Sequence, residues 1–425
     1  MKILVVGSGG REHAIVWKLA QSPKAAQIYC APGNAGIASL AACVPIKATD
    51  VKALADWAEE NKIDLTVIGM DDPLMLGIVD EFESRGLRVF GPRANAAIIE
   101  GSKVFSKNLM KKYGIPTAAY EEFTSPDEAK AYIQANKTYP LVLKADGLAL
   151  GKGVLICENQ QDALDGVDEI MVDKKFGQAG SKMVIEEFLR GQEVSVLSFC
   201  DGKTVKTMVS AQDHKRAFDG DQGLNTGGMG TFSPSQYYTK DYEEKAIAQI
   251  FQKTVDAMNQ EGRTFKGVLY FGLMLTENGP KVLEYNARFG DPETQVILPR
   301  LKTDLVDIFE ACIDGTLDQL EIEWEDNAAV CVVLASGGYP VSYQKGYPIE
   351  GLNAFEGQDD LMIFHAGTAF ENTADGKQQI VTSGGRVLGI VALAKDLPAA
   401  IEKAYQNVDK VTFKDAFYRH DIGRK

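Results

Sequence analysis

The chain has 425 residues and a formal net charge of −14 at pH 7, a length that suits roughly two to four domains. The acidic excess argues against nucleic-acid and acidic-membrane partners, because phosphate groups select basic surfaces. The six cysteines lack metal-ligand spacing, no cleavable leader is evident, and no apolar run is long enough to span a membrane. We therefore expect a cytoplasmic protein with reduced core cysteines and no obligate protein partner.

Residues 1–100 alternate strand and helix patterns with short connections, which predicts a parallel, doubly wound α/β sheet. Strands are expected at 3–6, 28–31, 65–68 and 89–90, and helices at 12–21, 51–61 and 74–85. A further helix at 102–113 ends at Gly114-Ile115-Pro116, a plausible break between domains.

The region from residue 141 onward is richer in strand patterns joined by glycine loops. Strands are expected at 141–145, 183–187, 194–199, 204–210, 268–275 and 281–285, with one long helix at 242–260. A small α+β domain follows, beginning with the apolar run 328–335. The predicted domains are 1–101, 102–327 and 328–425.

The first glycine loop, Gly7-Ser8-Gly9-Gly10-Arg11-Glu12-His13, joins a strand to a helix, where free N–H groups form an anion site. The third glycine of a dinucleotide fingerprint would fall at Glu12, which disfavours a nicotinamide cofactor. Gly10 and Arg11 favour a single phosphate instead, with Asn34 of the next loop opposite. Two ordinary strand-to-helix turns are the alternative.

The second loop follows Lys144 and contains Gly147, Gly151, Lys152 and Gly153. It is not a P-loop, because only three residues separate the first two of these glycines and no Ser or Thr follows the second lysine. We expect a flap that closes over nucleotide phosphates, with the first lysine as a fixed charge. A solvated polar hairpin loop is the alternative.

Two further segments are ambiguous when taken alone. The run Glu186-Glu187-Phe188-Leu189, with Glu193 beyond it, could present a strand end to adenine and a carboxylate to ribose, but such a run is more often solvated surface. In the segment 212–230, the amides of Gly227 and Gly228 could bind a carboxylate or an oxyanion. His214 in the same segment could transfer a proton, although a surface histidine is the commoner case.

The segment 282–293, VLEYNARFGDPE, carries the strongest chemical signal. Glu284 and Asn286 lie two residues apart, so an extended strand places both on one face, where their oxygens suit Mg²⁺. Arg288 continues that face. Buried charges are costly unless they are paired or bound to metal, which makes a plain core strand a poor alternative. A solvated edge strand remains the other interpretation.

Four motifs in order, KADGLALGKGV (144–154), VIEEFLRGQE (184–193), QDHKRAFDGDQGLNTGGMG (212–230) and VLEYNARFGDPETQ (282–295), resemble the glycinamide ribonucleotide synthetase family of the ATP-grasp superfamily. The resemblance continues over the whole chain. It implies a Rossmann-like N-terminal domain, a central two-lobed ATP-grasp fold with a flap lobe at about 122–192, and a small C-terminal domain. It also implies a ligase that forms a C–N bond from glycine, 5-phosphoribosylamine and ATP through glycyl phosphate, in purine biosynthesis.

The resemblance also assigns roles to residues. It implies an ATP site with Mg²⁺ or Mn²⁺ on Glu284 and Asn286. The ATP-binding residues would be Lys103, Lys144, Gly151, Lys152, Gly153, Glu186, Glu187, Phe188, Leu189 and Glu193. The substrate-binding residues would be Gly10, Arg11, Asn34, Asp213, Lys215, Asn225, Thr226, Gly227, Gly228, Met229, Arg288 and Asp291. Catalysis would rest on Arg288, Lys144, Gly227 and Gly228.

Two positions depart from the family pattern. Asp71 stands where the family usually has a glutamate, and Gly272 occupies the region of an additional acidic ligand found in other ATP-grasp enzymes. The alternatives are another ATP-grasp carboxylate–amine ligase, a non-catalytic nucleotide sensor, and a hydride-transferring enzyme. A sensor would have no use for the Glu284 and Asn286 pair.

Overall fold

A computed structural model describes residues 1–147, 153–373 and 375–424. The N-terminal part is a five-stranded parallel sheet of order β3-β2-β1-β4-β5, as predicted. Residues 3–6 of β1 are fully buried because helices cover both faces of the sheet. The strands are β1 Lys2–Gly7, β2 Gln27–Pro32, β3 Ala42–Cys43, β4 Leu65–Ile68 and β5 Val89–Phe90, and the helices are α1 Gly10–Leu19, α2 Val51–Glu60, α3 Asp71–Met75, α4 Ile78–Ser84 and α5 Ala94–Gly101.

Two predicted helices in this part differ from the structure. The helix expected at 74–85 is two helices, because Gly77 between them has a φ of +83°, which interrupts right-handed helical geometry. Helix α1 begins at Gly10, two residues early, because the side chain of Glu12 accepts a hydrogen bond from Gly9 N and caps the first turn.

The central part contains two antiparallel sheets, ordered β6-β9-β7-β8 and β11-β10-β16-β17. A long ten-residue pairing of β10 with β16 forms the centre of the second sheet. The strands are β6 Tyr120–Phe123, β7 Leu141–Ala145, β8 Val154–Cys157, β9 Met183–Glu187, β10 Gln192–Asp201, β11 Val205–Thr207, β16 Lys266–Thr276 and β17 Gly279–Asn286, and the helices are α6 Lys103–Tyr113, α7 Pro126–Ala135, α8 Gln160–Val167, α9 Lys240–Ala246, α10 Gln252–Gln260, α11 Thr294–Ile297 and α12 Leu305–Asp314.

The C-terminal sheet, β12-β15-β18-β22-β19 with β23 on β18, takes two strands from the preceding region. Residues 212–233 are thereby fixed to the C-terminal domain. The strands are β12 Gln212–Asp213, β13 Arg216–Phe218, β14 Gln222–Asn225, β15 Gly230–Ser233, β18 Ala328–Ser336, β19 Leu361–His365, β20 Thr368–Asn372, β21 Gln378–Thr382, β22 Arg386–Ala394 and β23 Ala416–Phe417, with helix α13 at Leu397–Asn407. Strands β13 with β14, and β20 with β21, form separate hairpins.

The buried side chains and the cysteines agree with a multidomain chain that has several apolar cores. One buried cluster runs from the N-terminal sheet to strands β10, β16 and β17, and separate clusters lie under the β6–β9 sheet and under the C-terminal sheet. All six cysteines are free, and Cys43 alone among them is exposed, contrary to the expectation of core thiols. Among the described residues, no helix is long and apolar enough to cross a membrane.

Candidate active site

The acid–amide pair predicted to hold a metal lies at the end of β17. Glu284 pairs in register with Gly272 of β16, and its Oε1 is 3.7 Å from Lys215 Nζ. Burial opposes ionisation of Glu284, but nearby lysines, Lys215 first, lower the pKa of its carboxyl below the ordinary value. Asn286 Oδ1 accepts a hydrogen bond from Arg288 Nη2 at 3.2 Å. The site therefore offers an ionised carboxylate and an amide oxygen on one face.

This donor set fits a hard cation that takes its other ligands from substrate and water. Among the described residues, no group of three or more His, Cys, Asp or Glu side chains is placed to hold a metal ion. Mg²⁺ is commonly bound through one or two carboxylates together with substrate phosphates. Two protein oxygens beside several lysines match that pattern better than an all-protein cage.

Arg288 is held by Glu100, a residue that the sequence analysis missed. Arg288 Nη2 lies 2.9 Å from Glu100 Oε1, and Ala287 N donates to Glu100 Oε2 at 2.7 Å. Burial raises the pKa of Glu100 even though Arg288 opposes that shift. Arg288 Nε is buried without an acceptor among the described residues, so the guanidinium retains a donor for a ligand. Glu100 lies near the end of α5, a helix that gave no sequence signal of a site.

On the opposite lobe, a glutamate joins two buried lysines. Glu186 Oε2 lies 3.1 Å from Lys144 Nζ and 3.0 Å from Lys107 Nζ, and Lys144 also donates to the carbonyl of Leu283. Burial lowers the pKa of Lys107 to about 8. Sequence reasoning missed Lys107, although its position four residues after Lys103 on α6 places both on one helix face. The cluster positions two ammonium groups between the lobes.

Lys103 lies beside the start of the predicted flap. Its Nζ donates to the carbonyl of Gly147 at 2.9 Å, and burial lowers its pKa. Asp146 accepts hydrogen bonds from Ser102 Oγ and Val104 N, which ties this end of the loop to α6. The flanking strand β7 was predicted at 141–145. Gly151 and Lys152 lie outside the described residues, and the carbonyl of Gly153 accepts from Ala145 N.

The predicted adenine segment lies at the end of β9. Leu189 is buried in a small apolar cluster with Ala118 and Met274. Glu187 accepts a hydrogen bond from Ala119 N at 3.0 Å, which lowers its pKa, and the ring of Phe188 lies under Arg190. An apolar surface beside a fixed strand end is suited to a flat aromatic base.

The centre of the site is a lysine among carboxylates. Lys215 Nζ is 3.2 Å from Glu193 Oε2, and this carboxylate is the main cause of a Lys215 pKa well above the ordinary value. Burial raises the pKa of Asp213 to about 7, although Lys215 acts in the opposite direction. The buried Glu293, also missed from sequence, adds to that rise. Its Oε1 accepts hydrogen bonds from Ser195 Oγ at 3.1 Å and Tyr270 OH at 3.0 Å.

The glycine turn predicted to bind substrate is braced from the C-terminal domain. Thr226 donates through both N and Oγ1 to the carbonyl of Lys215, and Gly228 N donates to Thr226 Oγ1. Gly227 N donates to Tyr339 OH, and its carbonyl accepts from Arg386 Nη1 at 2.7 Å. Both amides proposed for an oxyanion thus already have internal acceptors. Asn225 pairs with Arg216 across the hairpin, and Met229 N donates to the carbonyl of His214.

His214 and Asp291 show how closely the domains meet. His214 is buried, so the expectation of a surface histidine is wrong, and its ring lies 5.9 Å from that of Phe232. Asp291 Oδ2 is 3.2 Å from Arg386 Nη2. Burial acts against ionisation of Asp291, but Arg386 and then Arg11 lower its pKa. Arg386 was not predicted, and its only sequence signal was its position after a Gly-Gly pair.

The N-terminal loop lies against the same region. Arg11 Nε is 2.6 Å from Glu12 Oε1, and Arg11 Nη1 donates to the carbonyl of Phe289 at 3.0 Å. Asn34 Nδ2 donates to the carbonyls of Ser8 and His365. Its Oδ1 accepts hydrogen bonds from Gly36 N and Ile37 N. Gly10 packs closely on Gln295. Arg11, Asn34 and Gly10 therefore connect the N-terminal sheet to the other two domains.

These residues define a class of enzyme. One antiparallel sheet carries Lys144 beside Lys103 and Lys107 of α6, and the second carries the acid–amide pair. The apolar cluster around Leu189 packs against the second sheet through Met274. This is the organisation of an ATP-grasp enzyme.

Comparison with known proteins identifies the family. Models of the phosphoribosylglycinamide synthetase N domain, ATP-grasp (A) domain and C domain match residues 1–100, 101–294 and 329–425. The chain is 52% identical to a phosphoribosylamine–glycine ligase of Halalkalibacterium halodurans, covering 100% of this chain and 97% of that protein. A similar ligase of Caldanaerobacter subterraneus is 50% identical, with 99% of each chain covered. The chain belongs to the phosphoribosylglycinamide synthetase family of ligases.

Solved structures agree with this placement. The crystal structure of a phosphoribosylamine–glycine ligase from Thermotoga maritima superposes with a TM-score of 0.85 at 35% identity, covering 99% of this chain and 100% of that one. A biotin carboxylase from Campylobacter jejuni has a TM-score of 0.76 at 14% identity over 99% of this chain and 94% of that one, a likeness that concerns the fold alone. The predicted multidomain α/β and α+β architecture is confirmed.

Proposed function

We propose that the protein joins glycine to 5-phosphoribosylamine with cleavage of ATP, giving glycinamide ribonucleotide, ADP and phosphate. The observation that carries this proposal is the cluster of Lys144, Lys215 and Arg288 around Glu284, within a full-length family match. Such a cluster suits phosphoryl transfer, which depends on positioning and charge neutralisation and needs no enzyme nucleophile.

ATP would lie between the two central sheets. The apolar cluster around Leu189 would receive adenine, and Lys103 and Lys144 would bind the phosphates. The ribose is assigned to Glu193, which would exchange its ion pair with Lys215 for hydroxyl groups. Glu284 and Asn286 would hold Mg²⁺ or Mn²⁺, which neutralises charge on the phosphates when bound.

Glycine would bind with its carboxylate near Arg288, whose buried Nε has no acceptor among the described residues. That carboxylate attacks the γ-phosphate of ATP, the bond from the γ-phosphorus to ADP breaks, and glycyl phosphate forms. The amine of phosphoribosylamine then attacks the glycyl carbonyl and phosphate leaves. Enclosure between the lobes would keep water from the acyl phosphate.

The ribose phosphate of the amine is assigned to the N-terminal loop. Arg11 uses Nε on Glu12 and Nη1 on the carbonyl of Phe289, and its Nη2 has no acceptor in the part of the chain that the structure describes, so it could bind a ligand. Gly10 lies at the start of α1, where backbone N–H groups favour an anion. Asn34 fixes the facing loop through its contact with Ser8.

A direct test measures ADP release with glycine and freshly generated phosphoribosylamine, omitting each component in turn. We expect full turnover only when all three substrates are present. Hydroxylamine in place of the amine should trap glycyl phosphate as glycine hydroxamate, in an ATP-dependent reaction. Turnover with an unrelated amine and none with phosphoribosylamine would instead indicate another ATP-grasp carboxylate–amine ligase.

A further inference from the structure

A completely buried arginine near the C-terminus holds a distant hairpin. Arg419 is 0% exposed. Its Nε and Nη2 each lie 2.7 Å from an oxygen of Asp421, a bidentate pair. Its Nη1 donates to the carbonyl of Arg216 at 3.1 Å and to Asp221 Oδ1 at 3.0 Å. Burying a guanidinium is costly without such a full set of acceptors, so these contacts form a fixed unit.

The contacts converge on the turn of the β13–β14 hairpin. Gly220 N donates to Asp421 Oδ2 at 2.9 Å, and the amide of His420 donates to Asp219 Oδ1 at 2.7 Å. Gly220 and Asp221 both have positive φ, at +66° and +57°. Left-handed backbone is uncommon at residues other than glycine, although Asp tolerates it better than most, so the contacts from the C-terminal segment help to hold this turn.

The hairpin buries Ala217 but leaves two large apolar side chains exposed. Phe218 is 53% exposed and Leu224 is 58% exposed. The ring of Phe218 contacts Phe417, which also belongs to the C-terminal segment. An isolated two-stranded hairpin is marginally stable in water. The contacts from residues 417–421 therefore add to what holds β13 and β14 in place.

The C-terminal segment is itself anchored to the last domain. Tyr405 OH of α13 donates to the carbonyl of Arg419 at 2.7 Å and accepts from Ile422 N at 3.0 Å. Ile422 is fully buried against Gly230 of β15. We call residues 419–422 the C-terminal clasp.

The two ends of the hairpin are residues of the proposed acceptor site. Lys215 precedes β13 and pairs with Glu193 and Glu284. Thr226 follows β14 and returns two hydrogen bonds to the carbonyl of Lys215. A shift of the hairpin would move Lys215 and the Gly227–Gly228 turn together.

We propose that the C-terminal clasp sets the geometry of the acceptor site, with Arg419 as a positioning residue that acts through the β13–β14 hairpin. Only the predicted effect on the kinetics rests on the proposed function. ATP is assigned mainly to Leu189, Lys103 and Lys144, and its ribose would already displace Lys215 from Glu193. The clasp should therefore affect glycine and amine use far more than nucleotide affinity.

The test compares Arg419→Met with Lys395→Met, a charge-matched change at an exposed site of the same domain. In the first variant, hydrogen exchange of the hairpin amides in 216–228 should rise at least tenfold and KM for glycine should rise about tenfold or more. The affinity for ATP should stay within about twofold of wild type, and Arg419→Lys should restore part of the loss. The control should match wild type in each measurement.

A gentler variant covers the case in which Arg419→Met does not fold. Asp221→Asn removes one carboxylate at an exposed position and keeps a residue that tolerates positive φ. It should show a smaller change in the same direction. Unchanged hairpin exchange, or equal losses for ATP and glycine, would overturn the proposal. A wild-type protein inactive with glycine and phosphoribosylamine would refute the proposed function, while hydrogen exchange would still test the clasp.

Discussion

Asp213→Asn should make the protein more stable at neutral and alkaline pH while it reduces ligation. Burial near Glu293 raises the pKa of Asp213 from 3.8 to about 7. The folded protein therefore holds a proton on Asp213 that the unfolded chain has released between these two values. Ionising Asp213 costs stability progressively as the pH rises through this window, and asparagine avoids that cost.

The size of the effect follows from the shift. Three pKa units at about 1.4 kcal/mol each set a ceiling of about 4 kcal/mol above pH 7. Asp213 is only partly buried and Lys215 is close, so solvent screening lowers the expected gain to about 1–3 kcal/mol. Between pH 5.5 and pH 8 the stability advantage of the asparagine variant over wild type should grow by about 1–2 kcal/mol.

The assay is urea denaturation of both proteins at these two pH values, with Asp359→Asn as an exposed control. The stability difference between this control and wild type should be small and independent of pH. The catalytic arm measures kcat/KM for glycine across the same pH range. Wild type should gain activity as Asp213 ionises near pH 7, and the variant should lose that rise. If Asp213→Asn differs from wild type by the same amount at pH 5.5 and pH 8, the reasoning is refuted.

Three further changes test separate parts of the site. Glu284→Gln should reduce kcat by roughly two orders of magnitude or more with little change in melting temperature. The control Glu277→Gln, in the exposed β16–β17 turn, should leave kcat unchanged. Equal activity of the two variants at limiting Mg²⁺ would exclude Glu284 as a metal ligand. Lys107→Met should raise KM for ATP about tenfold, whereas Lys111→Met, one turn along α6, should not. A rise in KM for glycine alone would contradict this prediction. Arg11→Ala should raise KM for phosphoribosylamine about tenfold to a hundredfold, and a rise for ATP instead would reassign the loop.

The sequence alone predicted the features that depend on residues close together in the chain. Alternation predicted the parallel sheet, and strands β4, β7 and β9 have the expected bounds. The two-residue spacing of Glu284 and Asn286 predicted a shared face at the end of β17. Each of these features depends on neighbours a few residues apart, which periodicity and turn chemistry report directly.

The missed residues depend on contacts that no local pattern reports. Glu100 binds a backbone amide 187 residues away, Arg386 binds a carbonyl 159 residues away, and Arg419 binds one 203 residues away. A buried charged residue cannot be told from a solvated one by spacing alone, since either can follow a strand or a helix. Lys107 could have been predicted from the sequence, because it lies four residues after Lys103 and a helix places both on one face.

The pairing of charges explains how an acidic chain can hold anionic substrates. Four cations of the site already have a carboxylate before any ligand binds, in the pairs Lys144–Glu186, Lys215–Glu193, Arg288–Glu100 and Arg386–Asp291. Such pairing fixes the cations in place, so charge that develops during phosphoryl transfer meets groups that need little reorganisation. It also limits attraction of unrelated anions, because the paired site carries little excess charge at long range. Binding would then depend on groups that displace a carboxylate, as phosphates can, or that reach a donor without an acceptor among the described residues, such as Arg288 Nε.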